Sequence, residues 1–132
     1  MLKKLITMVA CVMFLSGCSV GIVNMKTTLQ EPPFAVAEMK GSVTEATRCV
    51  GRYWQKEAAD LGYFWNVYVY SYQVQVTGVI NEAGHVEPAS LVIEFSENNG
   101  KTLAEAHVHH VFGDGNIRRT ITVKAFDACK VK

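Results

Sequence analysis

Residues 42–62 read SVTEATRCVGRYWQKEAADLG and residues 63–77 read YFWNVYVYSYQVQVT, and the change of period between them decides the fold. In the first stretch Val43, Ala46, Val50, Tyr53, Trp54, Ala58 and Leu61 recur at helical spacing, while Arg48, Arg52, Gln55, Lys56 and Asp60 fall mostly elsewhere. Ser42 and Glu45 have the spacing of a capping box, in which each side chain takes up a backbone amide left over by the first turn. Gly62 suits the left-handed residue that ends a helix. The spacing predicts a helix over 43–60. In the second stretch the period drops to two. Tyr68, Tyr70, Tyr72, Val74 and Val76 share one face, with Ser71, Gln73, Gln75 and Thr77 on the other. One long strand is predicted over about 64–80.

The rest of the chain continues in strands. Asn81 to His85 forms a turn, and a strand over about 88–96 carries Leu91, Ile93 and Phe95 on its apolar face. Asn98-Asn99-Gly100 turns again, and a strand over about 102–112 turns Ala104, Ala106 and Val108 inward. Gly113-Asp114-Gly115-Asn116 reads as a tight hairpin. A last strand over about 117–127 sets Ile121, Val123 and Ala125 inward, and Cys129 follows it. Short connections make neighbouring strands antiparallel. The expected fold class is α+β, with one N-terminal helix packed on a four-stranded antiparallel meander sheet.

Upstream, Lys3 and Lys4 precede an apolar run from Leu5 to Leu15, and Ser16-Gly17 follows. A positive start, an apolar middle and small residues before a cut are the parts of an export signal. The run is shorter than the roughly 20 apolar residues that span a bilayer. Leu15-Ser16-Gly17-Cys18 resembles the lipobox of bacterial lipoproteins. The resemblance covers the first 18 residues only. It implies cleavage before Cys18, a diacylglyceryl thioether on Cys18, and a further acyl chain such as palmitate on the new amino group in Gram-negative species. Two or more chains hold a protein stably on a membrane, where one binds marginally. Ser19 resembles the outer-membrane sorting pattern, so the expected location is the cell envelope, on the outer membrane facing the periplasm.

The domain reading is therefore 1–17 signal peptide, 18–41 lipidated tether and 42–132 a single α+β domain. As flexible coil, 19–41 reaches roughly 25 Å. Pro32-Pro33 stiffens it, and Phe34–Met39 is apolar enough to dock on the domain. Cys11 leaves with the signal and Cys18 carries lipid, which leaves Cys49 and Cys129 in a compartment that permits disulfides. The expected disulfide ties the helix to the end of the last strand, closing a loop worth about 4.5 kcal/mol on chain-entropy grounds.

The formal net charge is +1, and it becomes −1 once Lys3 and Lys4 are gone. That balance offers no electrostatic footprint for nucleic acid. No Gly-x-Ser-x-Gly elbow, no His-Glu-x-x-His and no thiol beside a base is present, so no catalytic residue is assigned. Two clusters remain. His107 and His109 point to one face of a strand about 7 Å apart, with Glu105 on the same side, a set that can hold zinc or copper. A solvated sheet face is the plainer reading. Trp65, Val67 and Val69 fall opposite the tyrosines, on a face that should otherwise be wet. An apolar cluster there calls for a cover, either the segment Phe34–Met39 or a partner. The functional expectation is a non-catalytic binding or assembly module, anchored by lipid, with no cofactor beyond that lipid and an envelope protein or glycan as partner. The alternatives are a metal-binding lipoprotein using His107 and His109, and an inhibitor or immunity lipoprotein.

Overall fold

The computed structural model describes residues 25–61, 65–78, 91–109 and 115–132. The predicted helix forms as α2, Val43–Leu61, after a short helix α1, Met25–Gln30, and a strand β1, Ala35–Met39. Then come β2 (Trp65–Val69), β3 (Gln73–Gly78), β4 (Leu91–Asn98), β5 (Lys101–Val108) and a last helix α3 (Gly115–Cys129). The strands make one antiparallel sheet in the order β1-β5-β4-β3-β2. The fold is α+β as expected, with differences in detail.

The capping box forms in part: the Glu45 amide donates to Ser42 Oγ at 3.2 Å, and that hydroxyl in turn donates to Glu45 Oε1. Ala46, Thr47, Val50, Gly51, Trp54 and Ala58 bury the inner face of α2. Opposite them lie Val74 and Val76 of β3, Leu91, Ile93 and Phe95 of β4, and Ala104, Ala106 and Val108 of β5, all buried. The two later strands turn inward the residues their alternation predicted. Between them Asn99 and Gly100 adopt positive φ, 52° and 76°, and Asn98 pairs with Lys101. Two left-handed residues in a two-residue loop match the twist of the flanking strands.

Three expectations are corrected. The long first strand is a hairpin: Val69 pairs with Val74, Trp65 with Gly78, and the Tyr70 amide donates to the Gln73 carbonyl around the tip Ser71-Tyr72. The reversal inverts the parity of everything before it. Trp65, Val67 and Val69 therefore share the inner face with Val74 and Val76 and pack against the core. Tyr68 lies opposite Gln75 on the outer face.

The predicted last strand is the helix α3. Its buried residues, Arg118, Ile121, Thr122, Ala125, Phe126 and Cys129, recur at three and four, and Val123, expected inside, is exposed. The position beside β5 is taken by β1, with Ala35 opposite Ala106 and Met39 opposite Thr102.

Part of the expected tether thus belongs to the body. α1 lies over the outer face of β4 and β5 with Thr28 fully buried, and β1 extends the sheet. The chain end closes on β1: Lys40 N donates to the Cys129 carbonyl and Val131 N to the Glu38 carbonyl.

Cys49 and Cys129 form the disulfide, with Cα atoms 6.1 Å apart and a sequence separation of 80. It joins α2 to α3 rather than to a strand. The two helices also share a buried polar contact. Trp54 is fully buried, its Nε1 donates to Thr122 Oγ1 at 3.2 Å, and that hydroxyl donates to the Arg118 carbonyl at 2.8 Å. The Trp54 ring meets Trp65 edge to face with centroids 5.6 Å apart.

Candidate functional site

The outer sheet face carries a polar ladder. Gln73 Nε2 donates to Glu94 Oε1 at 3.4 Å, and Gln75 Nε2 donates to Gln73 Oε1 at 2.6 Å. Gln75 Nε2 also approaches Met25 Sδ at 3.0 Å, which fixes the start of α1 over β3. The other end of that segment is held by His107. Its Nδ1 lies 2.7 Å from the Glu31 carbonyl oxygen. A carbonyl only accepts, so Nδ1 carries the proton. Covered in this way, His107 is buried at 6% exposure.

The histidine set is only partly brought together. His107 Nε2 is 3.9 Å from Glu105 Oε2. His109 follows the end of β5, half-buried, and its Nδ1 has no hydrogen-bond partner among the described residues. Among the described residues no group of three His, Cys, Asp or Glu side chains is placed to hold a metal ion. Glu94 and Glu105 stand directly opposite each other across β4 and β5. His85 and His110 lie outside the described residues, as does Cys18.

Edge strand β2 carries two surfaces. On the helix side, Trp65 and Val67 line a shallow groove of about 210 Å³ with Gln55, Ala58 and Ala59 of α2. Both residues are half-buried, so Trp65 packs on Trp54 and is also partly exposed. Val69 packs against Gly51 and lines instead the groove at the hairpin tip. At the hairpin tip a larger open groove of about 680 Å³ runs between Met25, Arg48, Tyr70, Tyr72 and Gln75. Tyrosine rings, amides and one guanidinium line it, and among the described residues no carboxylate, imidazole or thiol does. Such a lining can stack, bury apolar area and donate hydrogen bonds. It holds no paired acid and base.

Trp65, Val67 and Val69 share one face, as a period of two requires, but it is the inner face and not the wet one. Tyr68, Tyr70 and Tyr72, expected on the core side with Val74 and Val76, are all exposed. The missed signal is the tip itself, since Tyr70-Ser71-Tyr72 carries no glycine, asparagine or proline to mark a reversal.

No protein-family model matches this chain, and no curated protein is significantly similar to it. No helix among the described residues is long and apolar enough to cross a membrane.

Proposed function

We propose that this chain is a small lipid-anchored lipoprotein of the cell envelope that acts by binding rather than by turnover. The observation that carries the reading is Leu15-Ser16-Gly17-Cys18 at the end of a short apolar run. The Cys49–Cys129 disulfide supports it, because such bonds persist in oxidising compartments. Among the described residues the two grooves are lined by aromatic rings, amides and one guanidinium, a chemistry suited to binding. The partner is an envelope protein or glycan, and the surface offered to it is the Trp65–Val67 groove on the β2 edge. An inhibitor of an envelope enzyme is a form of the same reading.

A photo-reactive residue at Gln55, beside that groove, tests it in intact cells. The expected result is a discrete cross-linked species that is lost when the reagent is moved to Lys124 on α3. Equal, diffuse labelling from both positions would count against the groove.

A further inference from the structure

Of the large apolar side chains exposed among the described residues, Val36, Leu61, Ile117, Val123 and Val131 lie elsewhere in the fold, and four stand at or beside the β2–β3 hairpin. Tyr68, Tyr70 and Tyr72 are 43%, 50% and 60% exposed, and Met25 is 40% exposed. Met25 touches Gln75, which stands opposite Tyr68, and it lines one groove with Tyr70 and Tyr72. Met25, the first described residue, thus shares a groove with Tyr70 and Tyr72, and Tyr68 stands beside it across from Gln75. Residues 19–24 lie between Met25 and Cys18. At about 3.6 Å per residue, the path from Cys18 to Met25 cannot exceed about 25 Å.

We propose that Tyr68, Tyr70, Tyr72 and Met25 rest in the interfacial layer of the bilayer that carries the anchor. The inference depends on lipidation of Cys18 as read above. A tether this short holds the patch within reach of the headgroups wherever the body rotates. The contact is then intramolecular in effect, and a weak affinity suffices to populate it. Tyrosine suits that layer, since its ring is apolar and its hydroxyl stays wet. Arg48 lines the same groove and Lys26 is exposed beside Met25. Both can bury their stems and keep their charge among lipid phosphates. The arrangement turns the hairpin tip toward the membrane. Trp65, at the far end of β2, points to the periplasmic side.

The test uses the full lipidated chain in vesicles of phosphatidylethanolamine and phosphatidylglycerol. A nitroxide is attached in turn to Tyr72→Cys, Tyr68→Cys and, as reference, Lys124→Cys. Collision with oxygen, which concentrates in lipid, is compared with collision with a water-soluble nickel chelate. The expected result is an oxygen-to-nickel ratio several-fold higher at 72 and 68 than at 124. Equal ratios at all three positions, in protein that floats with the vesicles, overturn the inference and leave the anchor standing. A label at 72 shielded from both reagents puts a protein partner or second copy on the patch and also overturns it. Intact mass showing an unmodified Cys18 overturns the inference and the anchor together.

Discussion

Gly51 of α2 lies so close to Val69 of β2 that a Cβ placed on it would stand 2.5 Å from Val69 Cγ2. Glycine in a helix interior costs about 1 kcal/mol relative to alanine, and here the cost is offset by the close approach of helix and sheet. Gly51→Ala should therefore lower stability by about 1–3 kcal/mol despite its better helix propensity. Denaturant midpoints check this. Adding Val69→Ala should make the pair less than additive, because the second change removes the methyls that clash.

The disulfide ties α2 to α3 across 80 residues. Replacing both Cys49 and Cys129 with Ser should cost about 2–5 kcal/mol, read as a drop in unfolding midpoint. Most of the effect arises in the unfolded chain, so the spectra of the folded variant should change little.

Trp54 and Thr122 share a buried hydrogen bond of 3.2 Å. Thr122→Val keeps the volume and removes the acceptor, which strands the indole N–H away from water. A loss of about 1–3 kcal/mol is expected. Thr122→Ser, which keeps the hydroxyl, should lose less, and equal losses would count against the hydrogen bond.

His107 clasps the segment after α1 through the Glu31 carbonyl. His107→Ala should speed amide exchange in residues 25–31 while leaving β4 and β5 protected. Local opening of this kind separates a clasp from a core residue, whose loss lowers protection throughout.

The contrast between legible and illegible elements has physical causes. Strands β4 and β5 read correctly because Leu91, Ile93 and Phe95, and Ala104, Ala106 and Val108, alternate with polar residues over one buried face. Helix α3 read as a strand because Thr120, Ile121, Thr122 and Val123 favour extended backbone. Its buried stripe includes the polar residues Arg118 and Thr122, which no apolar pattern would select, and packing against α2 overrides the propensity. Strand β1 stayed hidden behind Pro32-Pro33, since Ala35-Val36-Ala37 offers little contrast between faces. The grouping of Trp65 with Val67 and Val69 was visible, but one unmarked turn at Ser71-Tyr72 reversed their side. That reversal also exposes the tyrosines, which a single long strand would turn toward the core.

Membrane anchoring of this chain depends on the fate of the sulfur at position 18. Intact-mass measurement of the protein taken from cells tests that directly. Anchoring predicts a chain that begins at Cys18 and carries the added mass of a diacylglyceryl group, with Cys49 and Cys129 oxidised. A chain that still begins at Met1, or one cut elsewhere with a bare thiol at Cys18, would contradict it.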